Sequence, residues 1–207
     1  LRAGVCYLLQ YPAVYRADDH SKKLQNFQVE EQRQVEILIK QLMLQHLEAV
    51  KSLRDVSGAG LVHCLVLANN DHSVTLAMDL FRSAPSLLLC EHNNGRPPHK
   101  GEFDGEGSLH ILAVNKRTQE FLQLIERARD NLAETPFEML LMQTCTGEFF
   151  CKYALRLGAT PLAYAAAFGL DDVFKRLFTN DFGNALLDPR QKKMMLNGNG
   201  ACHENGA

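Results

Sequence analysis

GEGSLHILAVNKRTQEFLQLIERA, residues 105–128, decides how this chain is to be read. A glycine-rich turn leads into Ser108-Leu109-His110, and a short apolar helix follows at once. Asn115 to Arg117 interrupt it, and a second helical run extends from about Thr118 to Asp130. Apolar residues in such runs recur at three- and four-residue steps when one helix face is buried. The unit is therefore turn, short helix, polar break, longer helix.

The same plan occurs twice more. Upstream, SGAGLVHCLVLANNDHSVTLAMDLFRSAPSLL (57–88) has a glycine turn, a short helix carrying His63, a break at Asn69 to His72, and a second helix from about Ser73 to Ser83, closed by Pro85. Downstream, GATPLAYAAAFGLDDVFKRLF (158–178) has a turn at Gly158, a helix over Pro161 to Ala167, a break at Gly169 and a helix over Asp171 to Phe178. The turn glycines Gly58 and Gly105 are 47 residues apart, and Gly105 and Gly158 are 53 apart. Self-similarity on this scale means stacked helix pairs, because one pair alone cannot bury its apolar face.

Among repeat patterns, the ankyrin signature T-P-L-H-x-A, with a period of about 33 residues, lies closest. Thr160-Pro161-Leu162-Ala163-Tyr164-Ala165 matches it in all but the histidine, while Ser108-Leu109-His110 and Leu61-Val62-His63 keep Leu/Val-His and lose Thr-Pro. Thr160 is expected at a helix N-cap and Pro161 at the first helical position, where its missing N–H is no loss. Leu109 and Leu162 should face the stack. His63 and His110 should hydrogen-bond backbone in the neighbouring turn, a structural tie in preference to a catalytic or metal-binding role. The expected fold is an all-α ankyrin-repeat solenoid of stacked helix pairs, with long inter-repeat loops at about Cys90 to Asp104 and Thr135 to Leu157. The second insertion is apolar and should fold back as a helix or dock on its neighbour.

Around this block, residues 28–54 are rich in Glu, Gln, Leu, Lys and Arg without Gly or Pro. Val35, Leu38, Leu42, Ala49 and Leu53 mark a long amphipathic helix, with His46 at the edge of the stripe. Residues 1–55 are expected to form an N-terminal helical segment or cap, 56–184 the degenerate repeats, and 185–207 a turn-rich, truncated approach to a further repeat. Both ends read as cut from a longer protein.

Several function classes lack their parts. With 22 basic against 24 acidic residues the formal charge is −2, which offers no footprint for nucleic acid or a membrane surface. No apolar run approaches the roughly 20 residues that cross a bilayer. The cysteines Cys6, Cys64, Cys90, Cys145, Cys151 and Cys202 are scattered without a CxxC pair, the pattern of reduced thiols. Cys90, His92 and His99 match no compact zinc spacing, and Pro97-Pro98 stiffen the loop between them, so no metal or cofactor is expected. There is no P-loop, GxGxxG or HExxH, and GEGSLH is not a G-x-S-x-G elbow. His63 and Cys64 are adjacent on a helix and point apart, a poor base–nucleophile pair. Glu106 and His110 lie too near the turn for the sequence alone to assign them.

Gly105, Glu106, Leu109, His110 and Asn115, then Gly147 and Phe149-Phe150, then Gly158, Pro161, Leu162, Ala165, Ala166 and Gly169 resemble the cytosolic N-terminal ankyrin domain of transient receptor potential channels, the vanilloid type especially. The resemblance covers about residues 56–184. Arg156-Leu157-Gly158-Ala159 replaces the usual aromatic-aromatic-Gly-Glu, and Ala163 stands where many repeats carry His or Ser, which marks a distant relative. The resemblance implies a non-catalytic interaction and regulatory domain on the cytoplasmic side of a membrane, in a parent embedded in that membrane. Its partners would be other proteins or neighbouring channel subunits, with ATP or calmodulin as ligands in some members. Arg96, Lys100, Lys116 and Arg117 are the nearest basic candidates for such a ligand site, although charges of this number more often form a solvated face. A soluble ankyrin scaffold or signalling adaptor is the alternative parent.

Overall fold

The computed structural model describes residues 33–93, 101–147, 159–178 and 187–198. These residues are predominantly helical. The elements are α1 (33–45), α2 (Leu47–Ser52), α3 (Leu61–Leu67), α4 (Asp71–Ser83), a 3-10 helix (Pro85–Leu89), α5 (Ser108–Val114), α6 (Thr118–Asn131), α7 (Glu134–Met142), α8 (Pro161–Ala167), α9 (Asp171–Phe178) and α10 (Pro189–Gly198). Extended pairing among the described residues is confined to two isolated antiparallel bridges, Arg54 with Gly60 and Glu91 with Gly107.

Three helix pairs share one register. The short helices α3, α5 and α8 begin at Leu61, Ser108 and Pro161, and the longer partners α4, α6 and α9 at Asp71, Thr118 and Asp171. Both series step by 47 and then 53 residues, the spacing of the turn glycines. Between the two helices of each pair lies one left-handed residue, Asn69 (φ 50°), Lys116 (φ 56°) or Gly169 (φ 73°). Each of these donates its N–H to the carbonyl three residues back, on Val66, Ala113 and Ala166. A left-handed residue past a helix end satisfies an orphan carbonyl and reverses the chain, which is why Asn and Gly occur there.

The short helices pack in a row, α3 on α5 and α5 on α8, and the longer helices make a second row, α4 on α6 and α6 on α9. A third row was not foreseen in the sequence. The 3-10 helix packs on α7, and α7 on α10. Leu65, Leu80, Phe81, Leu87, Leu88, Leu109, Leu112, Phe121, Leu124, Leu140, Leu162, Val173 and Leu177 fill the space between rows. Each such side chain contributes about 1.5–3 kcal/mol by leaving water.

Two expectations need correction. First, the N-terminal helix breaks at His46, and its buried residues are Ile39, Met43 and Val50. The stripe expected to pack is turned outward, with Leu38 55% and Leu53 49% exposed and Leu42 and Ala49 on the same open side. Both faces of this helix are apolar, so periodicity permits two registers. The ion pair between Lys40 and Asp79 of α4, at 3.0 Å, holds the observed one. Second, the segment 185–207, expected as a turn-rich, truncated approach to a further repeat, contains a helix, α10. Its Pro189 suits a first helical turn. The apolar insertion after Asn131 begins with a helix as expected, α7, which buries Phe137, Leu140 and Leu141 and leaves Met139 63% exposed. No described helix is long and apolar enough to cross a membrane.

Candidate functional site

The residues singled out by the repeat converge on the joints between neighbouring units. In α5 the N-cap is Gly107 and the third helical residue is His110. Gly107 N–H donates to His110 Nδ1 at 3.1 Å, which satisfies a donor that the first turn would otherwise orphan. His110 Nε2 then donates to the Ala159 carbonyl at 3.2 Å, 49 residues ahead in the next unit. Those two bonds require the neutral Nε2–H tautomer. The ring is fully buried, and burial pushes its pKa down to about 4. Tyr164 of α8 meets the ring edge-on, with centroids 4.9 Å apart. With both nitrogens engaged, neither is left for a substrate or a metal. Leu109 beside it is completely buried, facing the stack.

The third unit solves the same N-terminal problem the other way round. Thr160 is the N-cap of α8 and its Oγ1 accepts the N–H of Ala163 at 3.3 Å, with Pro161 in the first turn and Leu162 buried. Where the cap residue has a side chain, the third helical position no longer needs one, so Ala163 replaces histidine. At Gly107 that exchange would require the Gln143 side chain to move. A Cβ there would run into the Gln143 side-chain amide, and one on Gly105 (φ 81°) would run into the Thr144 carbonyl.

His63 occupies the equivalent place in α3, and it is as deeply buried as His110. Neither of its ring nitrogens reaches a hydrogen-bonding partner, although the backbones of Glu106 and Cys90 lie near enough to favour its charged form. Burial outweighs them and holds its pKa at about 4. Its ring instead stands edge-on to His92 at 6.3 Å. The expected tie thus forms at His110 and only in outline at His63.

Hydrogen bonds at the feet of the inter-repeat loops complete each joint. Gly58, left-handed at φ 89°, accepts from Asn93 N–H at 3.1 Å, and the Asp104 carbonyl accepts from Thr146 and Gly147 N–H at 2.8 and 3.0 Å. At the foot of the loop after Cys90, His92 N–H donates to the Glu106 carbonyl and Gly105 N–H to the His92 carbonyl. At the next joint Cys145 N–H donates to the Ala159 carbonyl at 3.3 Å.

Of the basic candidates, Lys116 and Arg117 are among the described residues. Arg117 serves as another inter-unit tie. Its guanidinium donates to the Asn69 side chain and carbonyl, each at 2.9 Å, and pairs with Asp71 at 2.7 Å and Glu120 at 3.4 Å. Lys116 sits beside it at the exposed left-handed turn. Arg96, Lys100, Gly158 and His99 lie outside the described residues. Among those described, no three metal-ligating side chains cluster.

Sequence reasoning missed Asn115, whose side-chain amide donates to the Val66 carbonyl at 3.4 Å, and the pairing of Arg117 with Asn69. Their separations, 49 and 48 residues, are close to one repeat, which is the signal that could have found them. Burial also shifts other groups in the joint. It pushes the Cys145 thiol up to about 12, with the Tyr164 hydroxyl hydrogen-bonded to it and itself raised, and it raises the Cys90 thiol. Thiols this far from ionising are poor nucleophiles. Glu106 is pushed up to about 7 by burial. No family model, curated protein or solved structure matches this chain.

Proposed function

We propose that this chain is a non-catalytic, ankyrin-type repeat domain that works by protein contact, as the cytosolic regulatory part of a cation channel resembling the vanilloid-type transient receptor potential channels. The observation that carries the reading is the use made of His110. Its Nδ1 caps its own helix at Gly107 and its Nε2 reaches the next helix pair at Ala159, so both ring nitrogens are engaged. A histidine so engaged stacks units, and stacked units offer partners an extended surface in place of a reaction centre. The loops that separate the units, residues 90–104 and 135–157, exceed ordinary connections and are where a repeat array presents its binding residues. The partners are neighbouring subunits or other cytosolic proteins, with ATP or calmodulin as regulators.

The discriminating experiment is to read the coding sequence of the parent beyond residue 207 and to titrate the full chain with ATP and with Ca²⁺-calmodulin. The channel reading expects about six helical spans of roughly 20 apolar residues downstream. A parent without them turns the assignment to a soluble scaffold built on the same repeats. Substrate turnover by the chain that is lost in His110→Ala would overturn the non-catalytic reading itself.

A further inference from the structure

An open cleft of about 480 Å³ lies where the end of α2, the 3-10 helix and the residues after it meet. Lys51 and Arg54 line it from the α2 side, and Ser86 and Leu89 from the 3-10 helix. Cys90, Glu91 and Asn93 complete the lining. The volume falls within the range of small-molecule sites, about 300–1,000 Å³. Its two cations are not among those that the sequence offered for a ligand.

Lys51 stands in the last turn of α2, and Arg54 just past the C-cap Leu53, where the backbone has become extended. The Arg54 guanidinium folds back, and its Nη1 donates to the carbonyls of Lys51 and Leu53, acceptors that a helix end leaves over. The Arg54 backbone is fixed as well, by its bridge to Gly60. Two neutral carbonyls thus position the guanidinium without cancelling its charge. Both bonds use Nη1, so the Nε–Nη2 edge, the fork that matches a phosphate, is not spent on them. Lys51 pairs with Glu48 at 2.8 Å, but Glu48 is 86% exposed, and a pair so open to water yields readily.

The two positive charges converge inside the cleft. Burial pushes the Cys90 thiol up, Arg54 and Lys51 both pull it back, and Glu91 opposes them. Negative charge brought to this point therefore meets two attractions and one repulsion. Ser86 adds a hydroxyl, Asn93 an amide and Leu89 apolar surface. Two cations beside neutral donors suit one compact dianion. The acid and the amide at the other end of the lining suit hydroxyl groups.

We propose that this cleft binds a small phosphate monoester, its phosphate held by Lys51 and Arg54 and the hydroxyls of its body by Glu91 and Asn93. Arg54 supplies the planar fork, Lys51 a point charge and the Ser86 hydroxyl a further donor. The bound ligand joins the end of α2 to the first helix pair and to the residues after Cys90. The assignment does not rest on the channel reading, because a soluble scaffold would carry the same cleft.

The test is calorimetric titration of the full chain at low ionic strength with glucose 6-phosphate, inorganic phosphate and glucose. Saturable binding of glucose 6-phosphate is expected, with weaker binding of inorganic phosphate and none of glucose. Lys51→Met and Arg54→Met should each weaken glucose 6-phosphate about 10-fold. Arg82→Met, which removes an exposed cation of α4 outside the cleft, should leave it unchanged. Lys51→Met decides the matter where Arg54→Met disturbs the end of α2. As a second readout, saturating glucose 6-phosphate should slow alkylation of Cys90 by iodoacetamide and leave Cys64 of α3 unaffected, followed by peptide mass spectrometry. Absence of binding, equal binding of glucose, or affinity untouched by Lys51→Met overturns the site. Equal affinity for inorganic phosphate overturns the monoester.

Discussion

His63 and His110 hold the same position in successive units, at the third residue of helices of equal length, and both are wholly buried. At His110 the two ring nitrogens link the helix N-cap to the next unit. At His63 neither nitrogen has a partner. The ring that faces each differs too: Tyr164 at 4.9 Å for His110, and another histidine, His92, at 6.3 Å for His63. A repeated residue therefore does not guarantee a repeated interaction. Hydrogen bonds fail over a few tenths of an ångström, whereas hydrophobic stacking tolerates such shifts, so the two joints share a core and differ in their polar chemistry.

The largest expected effect tests the closeness of the better-made joint. Gly105→Ala must move the Thr144 carbonyl and hold a left-handed backbone, so it should destabilise by about 4 kcal/mol. Gly169→Ala, also left-handed but with nothing within 4 Å of a Cβ, should lose only about 1 kcal/mol. Thermal unfolding of the two variants checks the ratio, and equal losses would show that packing at residue 105 is looser than described.

Next comes His110→Leu, which leaves Gly107 N–H without an acceptor and the Ala159 carbonyl with Cys145 N–H alone, and should destabilise by about 2 kcal/mol in denaturant titration. The same change at His63 removes a buried polar ring that has no hydrogen bond. Acid sharpens that contrast. Each histidine is held at about 4 against an ordinary 6.5, so the stability that neutrality confers is present above 6.5 and lost as pH falls through 4. At pH 4.5, His63→Leu should therefore be about 2 kcal/mol more stable than the unaltered chain. Failure of that advantage to grow below pH 6.5 would show that His63 is solvated.

Smaller still, Arg117→Met should lose about 1 kcal/mol, since the Asn69 contacts are partly screened by water. A double change with Asn69→Ala should add little more, whereas full additivity would separate the two residues. The smallest effect is His63→Leu at pH 7.5, expected within about 0.5 kcal/mol of the unaltered chain.

Helix pairs, their breaks and their common spacing were readable because glycine turns and three- to four-residue periodicity are local properties. The Thr160-Pro161 cap was readable for the same reason. The outward face of α1 was misread because Ile39 and Leu38 are equally apolar, and the choice rests on the packing of Ile39 and Met43 in the core together with the contact of Lys40 with Asp79. The third row of helices escaped notice because Pro85–Leu89 and Glu134–Met142 are too short or too irregular to show a period. Arg117 looked like a free cation because nothing in its immediate sequence announces Asn69, 48 residues earlier.

By itself, then, the sequence determined that this chain is built of helix pairs, where each pair turns, and that His63 and His110 stand in the first turn of the short helices. Those follow from patterns a few residues long. The tertiary structure alone decided which histidine is tied and which face of α1 is buried. Each of these depends on atoms brought together from one repeat away, and a gap of a few tenths of an ångström between them settles whether a bond forms.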